Sequence, residues 1–119
     1  MSTVKNFKEL RIWQQSMSLV SKIYPVLQDL PVNERFGLAQ QIRKAAISVP
    51  SNIAEGQVRG TRKFIYFLNI SLGSLAELET QLLLTVQLNF LSNEKTSPLI
   101  IELESLTRQI RALINKLKG

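Results

Sequence analysis

The chain has no cysteine and no histidine. The first absence excludes disulfides, zinc-thiolate sites and thiol nucleophiles. The second removes the commonest general base and the commonest transition-metal ligand. Any chemistry would have to be carried by carboxylates, amides, hydroxyls and cations, so the expectation is a protein that is not an enzyme and holds no metal or cofactor. Long hydrophobic runs are missing too. The strongest, around Leu82 to Leu91, is too short to span a bilayer. The opening MSTVKNFKELR lacks the apolar stretch of a secretory signal. No membrane association and a cytoplasmic location are therefore expected.

Acidic residues are also scarce, 9 against 15 lysines and arginines, which leaves a net charge of +6. Such a balance favours acidic partners, nucleic acid first among them, through counterion release. A solvated basic face that keeps a helical bundle soluble is the competing reading. At 119 residues, residues 1–119 fit one domain with a real core.

Helical periodicity runs through the whole chain. A first helix is expected from about Asn6 to Asp29, with Leu10, Trp13, Met17, Val20, Tyr24 and Leu27 as its apolar seam and Lys5, Lys8, Arg11 and Lys22 mostly off it. Trp13 is then a core residue, and Pro25 predicts a kink or an early stop. Asp29 to Glu34 reads as a turn, with Asn33 as cap of the next helix. In that second helix Leu38, Ile42, Ala45, Ala46, Val49 and Ile53 face inward, and Pro50 re-aims the second half. Ala45, Ala46, Ser48, Ser51, Ala54 and Gly56 are all small, which lets another helix come close. Ser48, Ser51 or Asn52 would satisfy backbone freed by the proline.

Gln57 to Gly60 makes a connection, and Thr61 is the expected cap of a third helix from about Arg62 to Leu91. Phe64, Leu68, Ser71, Leu75, Leu78 and Leu82 form one seam. Leu72, Ala76, Leu83, Val86 and Phe90 form a second, with Leu84 and Leu88 on another side. A helix so apolar around its circumference exceeds what one four-helix core can cover, so a subunit interface is expected. Ser92 to Ser97 reads as a loop before a fourth helix from Pro98 that carries Leu99, Leu103, Leu106, Ile110, Leu113 and Leu117. The fold class is all-α: an antiparallel, up-down-up-down four-helix bundle, oligomeric.

Three basic groups stand out: Arg43 with Lys44; Arg59, Arg62 and Lys63 at the second turn; and Arg108, Arg111, Lys116 and Lys118 at the end. Arg62 and Lys63 lie beside the free amides that open the third helix, a placement suited to phosphate. Arg43, Lys44, Arg59, Arg62 and Lys63 are the cations expected to contact the phosphates of a nucleic acid. The bland alternative is a solvated turn whose arginines pair with Glu55. Glu77 and Glu79, two apart on a helix, point in different directions and form no carboxylate dyad. Their expected role, with Glu55, is in ion pairs to Arg43, Arg59 or Arg62 between helices or subunits. Pro50, Asn52, Gly56, Gly73 and Ser74 are expected to be structural or oligomer-forming.

Two segments carry a resemblance: FGLAQQIRKAAISVPSNIAEGQVR and SLGSLAELETQL, with F..L..W near the start. Their most specific parts are Ser48 to Gly56, an S-[IV]-P-x-N-I-A-E-G run, and Gly73 to Thr80, G-S-L-x-E-L-E-T. Over nearly its whole length the chain resembles the four-helix bundle proteins encoded within intervening sequences of bacterial 23S ribosomal RNA genes. That resemblance implies a homopentameric ring around a central channel. It also implies a relation to the accessory variability proteins of diversity-generating retroelements, which bind nucleic acid and a reverse transcriptase. The expected partners are thus further copies of the chain, RNA or DNA, and alternatively a protein such as a reverse transcriptase.

Overall fold

The computed structural model describes residues 6–119, so Lys5 lies outside the described residues. Four helices carry the fold: α1 (Arg11–Leu27), α2 (Leu38–Val58), α3 (Thr61–Gln87) and α4 (Asn93–Lys118). Single 3-10 turns lie at Phe7–Glu9 and Val32–Glu34, and no strand occurs among the described residues. The most extensive pairing is α2 with α3; α4 packs on α3, and α1 closes against α2 and α4. The resulting body measures 48 × 22 × 19 Å. Each leucine or isoleucine fully withdrawn from water along its axis contributes about 1.5–3 kcal/mol.

α1 begins later than its periodicity suggests. The Asn6 side chain accepts a 2.8 Å bond from the Lys8 amide, a 3-10 turn follows, and Leu10 is extended. Pro25 brings an early stop, with the helix ending at Leu27. The buried seam also differs from the expected one. Ile12, Ser16, Leu19, Ile23 and Leu27 face the core, whereas Met17 and Tyr24 are 44% and 40% exposed. Ser16 makes this possible because its Oγ donates to the Trp13 carbonyl at 2.7 Å, satisfying its polarity within the helix. Trp13 is half-buried, packed on the core at its edge and against Phe7 with ring centroids 5.3 Å apart.

Glu34, not Asn33, caps α2: its Oε1 accepts from the Leu38 amide at 3.1 Å. A carboxylate there also complements the positive end of the helix dipole. Ile42, Ala45, Ala46, Val49 and Ile53 are buried as their spacing predicts, and Leu38 is half-buried. Pro50 sits buried inside a helix that continues to Val58. Ser48 donates to Ala45 O, Ser51 to Ile47 O and Asn52 to Ser48 O. Among the described residues none of these bonds goes to Ala46 O, the carbonyl that the proline deprives of its amide.

Gly60 precedes α3 with φ +96° and ψ 168°, a conformation open only to glycine, and Thr61 is the first helical residue rather than a cap. The expected seam from Phe64 to Leu82 is wholly buried, continued by Ser74 and Thr85. Ser71 Oγ crosses to the Val49 carbonyl at 3.1 Å, tying α3 to α2 beside Pro50. α3 ends at Gln87, short of Leu91. Asn89 takes φ +62°, Phe90 N bonds Thr85 O at 2.8 Å, and Asn89 N bonds Val86 O at 2.9 Å. This is a Schellman ending with asparagine in the left-handed position.

The stretch expected to be a loop, Ser92 to Ser97, instead opens α4. Ser92 caps by accepting from Lys95 N at 3.2 Å, and Pro98 falls early in the helix. Leu99, Leu103, Leu106, Ile110 and Ile114 are buried, while Leu113 and Leu117 are half-buried. Two ion pairs join α1 and its end to α4, Lys22–Glu102 at 2.9 Å and Asp29–Lys95.

Candidate nucleic-acid interface and neighbouring hollows

The turn between α2 and α3 presents Arg59, Arg62 and Lys63 to solvent, because Gly60 forces the chain sharply from one helix into the next. Arg59 is engaged within the chain. Its Nε donates to Glu55 Oε2 at 2.6 Å, and its guanidinium lies 5.5 Å from the centre of the Phe67 ring. For this residue the ion-pair reading of the turn holds. Arg62 and Lys63 have no carboxylate within ion-pair distance among the described residues, and both flank the first turn of α3.

Further along α3, Asn69 and Leu72 line a hollow of about 200 Å³ together with Arg111, Ile114, Asn115 and Lys118 of α4. The final cations of α4 are thereby set alongside the first half of α3. Arg43 and Lys44 do not join them. About 24 Å of helical rise separates Arg43 from Arg59, so the five cations proposed from sequence fall into two groups.

The residues expected to be structural divide likewise. Asn52 serves the backbone, and Gly56 is buried where a Cβ would stand 3.1 Å from Phe64 Cα. Gly73 is exposed and a Cβ there would meet nothing within 4 Å, whereas Ser74 turns inward. Glu77 is exposed and, among the described residues, accepts only a long, 3.5 Å bond from Gln81. Glu79 is half-buried; among the described residues neither glutamate reaches Arg43, Arg59 or Arg62. Gly73 and Glu77 belong to an exposed row with Tyr66, Ile70 and Leu84 of α3 and Leu88 just past its end, at steps of four, three, four, seven and four. That four-and-three spacing keeps the row on one face of the helix.

Two further hollows flank the α1–α2 pair. One, about 470 Å³, is an apolar groove formed by Trp13, Met17, Val20, Tyr24, Ile47 and Pro50 with small residues beside them. The other, about 410 Å³, lies where α1 ends and α2 begins, with Tyr24, Gln28, Val32, Arg35 and Arg43 in its wall. Sequence reasoning passes over Arg35 and assigns Tyr24 to the core. The available signal is the Arg35-Phe36 pair just ahead of α2, an arginine beside an aromatic that is 81% exposed. Among the described residues no group of three or more acidic side chains is placed to hold a metal ion, and no helix is long and apolar enough to cross a membrane.

Comparison with known proteins bears on the fold and the family. The family model described as "23S rRNA-intervening sequence protein" matches residues 8–112. Among solved structures, the chain is similar to a protein of unknown function from the S23 ribosomal protein family of Bacteroides thetaiotaomicron VPI-5482. That similarity has 24% identity and a TM-score of 0.79, and covers 87% of this chain and 97% of the other. At that identity the likeness is one of fold. No curated protein matches the chain.

Proposed function

The chain belongs to the 23S rRNA-intervening sequence proteins, and we propose that it is a non-enzymatic, cytoplasmic, self-assembling bundle that binds RNA through its exposed cations. The observation that carries this reading is the exposure of Arg62 and Lys63 in the first turn of α3, with no carboxylate within ion-pair distance among the described residues, on a helix whose first half also lies against Arg111 and Lys118. Phosphate is the ligand such a set fits, since amides at the start of α3 add to the positive potential. Binding is electrostatic and tolerant of sequence, as expected where cations contact backbone phosphates.

An antiparallel up-down-up-down topology is supported by the paired contacts Lys22–Glu102 and Asp29–Lys95, in which α1 advances as α4 recedes. Self-assembly is supported by the exposed seam of α3, and a ring of five is what the family resemblance implies. Light scattering tests the assembly. Titration with single-stranded RNA at low salt tests the function, and no binding to RNA or DNA there removes the reading.

A second reading, a scaffold that docks a protein such as a reverse transcriptase, draws on the apolar groove between α1 and α2. A defined protein complex that survives nuclease, with no nucleic-acid binding by the pure chain, would favour it.

A further inference from the structure

We propose that the hollow between the end of α1 and the start of α2 is a nucleotide site, holding the base beside Tyr24 and the phosphate on Arg35 and Arg43. As an account of where a strand is gripped, this rests on the RNA reading above. As an account of a pocket, it does not.

The cavity's volume, about 410 Å³, falls within the range of about 300–1,000 Å³ typical of small-ligand sites. Its inner wall is aliphatic, with Leu27, Leu30 and Pro31 among its members, and Tyr24 contributes an aromatic ring. A flat, unsaturated ring suits such a wall, because stacking on an aromatic face does not depend on which base is present. Gln28 is the one neutral amide side chain in the lining, and it offers both a donor and an acceptor to the edge of a base.

The charge of the site is equally specific. Two arginines line it and no acidic residue does. The two nearest acids in sequence are committed elsewhere: Asp29 pairs with Lys95, and Glu34 caps α2 through the Leu38 amide. Arg43 is fixed by one bond, Nη2 to the Arg35 carbonyl at 3.1 Å, which leaves its other donors available. Arg35 and Arg43 have no carboxylate within ion-pair distance among the described residues. A guanidinium that is held in place and has donors to spare is well suited to a phosphate. An aliphatic wall, an aromatic ring and two cations together match a nucleoside phosphate better than a bare anion, which would leave the apolar wall without a partner.

The test uses the full chain and three probes: adenosine monophosphate, ribose 5-phosphate, and a short single-stranded oligoadenylate. Calorimetry should show the monophosphate binding about ten-fold more tightly than ribose 5-phosphate, the difference that stacking the base supplies. Tyr24→Ala should erase that difference, and Tyr24→Phe should keep it. Arg43→Gln should weaken both small probes about ten-fold or more, while Arg11→Gln, an exposed position outside the three hollows, should leave both unchanged. Circular dichroism of each variant separates loss of the site from loss of the fold, and Tyr24→Leu, which removes the aromatic face but keeps apolar bulk, takes the place of Tyr24→Ala if that variant does not fold.

Equal binding of the two small probes would overturn the proposal, as would indifference to Arg43→Gln. If the oligonucleotide binds but neither Arg43→Gln nor excess monophosphate affects it, the strand is held elsewhere; the RNA reading stands and the pocket's role in it falls. If the monophosphate binds through Tyr24 and Arg43 while no oligonucleotide binds at low salt, the pocket stands as a site for free nucleotide and the RNA reading falls.

Discussion

Gly56 and Phe67 meet with no room for a methyl group: a Cβ on the glycine would lie 2.7 Å from the phenylalanine's own Cβ. The two residues belong to α2 and α3, the most extensively packed pair. Gly56→Ala must therefore push the helices apart just before the Gly60 turn. Overpacking of this kind costs about 1–3 kcal/mol. Urea denaturation should show the midpoint falling, and an unchanged midpoint would mean that the clash costs no more than the roughly 1 kcal/mol that alanine gains over glycine in a helix.

Gly73 has the opposite surroundings. Nothing in the chain lies within 4 Å of a Cβ placed there, so Gly73→Ala should stabilise an isolated bundle by about 1 kcal/mol through helix propensity alone. If the exposed row on α3 is the contact between copies, Gly73→Leu should lower the mass seen by light scattering while leaving the helical content intact. Assembly that tolerates the leucine excludes this face.

Salt dependence is the sharpest measure of the cations at the α2–α3 turn. Replacing both Arg62 and Lys63 by glutamine should reduce the slope of log affinity for single-stranded RNA against log salt by about 1.4, near 0.7 for each lost phosphate contact. The same double substitution should hardly alter stability, since both side chains are exposed. A slope that does not move places the strand elsewhere.

Glu34 can be tested as a helix cap. Glu34→Ala removes the acceptor that the Leu38 amide uses at 3.1 Å and the negative charge at the start of α2. A loss of about 0.5–2 kcal/mol is expected in thermal or chemical denaturation, with Glu34→Gln losing less. Asn33→Ala should be close to neutral, since Asn33 is exposed and does not cap.

The orientation of α1 can be checked in the same way. Ile23→Ala, at a fully buried position, should cost about 2–5 kcal/mol. Met17→Ala should cost the single bundle well under that, because Met17 is 44% exposed. The reverse order, read from denaturant midpoints, would restore the seam through Trp13, Met17 and Tyr24.

The same pair of residues shows how far periodicity reaches. In α2 the inward positions follow directly from spacing, and in α3, apolar around its circumference, the seam from Phe64 to Leu82 is the buried one. α1 has two candidate seams, and the one without a polar residue is the less buried. Ser16 looks like a break in the pattern, yet a hydroxyl that bonds its own helix at 2.7 Å is small and nearly apolar from outside. Element ends were hidden for a related reason. Ser92 starts α4 and Asn89 stops α3 through bonds to particular amides and carbonyls, which spacing does not encode. The cations were legible as residues but not as places: Arg43 and Arg62 look like members of one set until the length of α2 comes between them.

Tyr24 stands in the wall of both hollows beside α1, the apolar groove and the arginine-lined cavity. A ring shared in this way would link the two compartments if a ligand in either fixed its position. A ligand that held the ring from one side would then alter affinity on the other, and by reciprocity the second occupant would act back on the first by an equal factor.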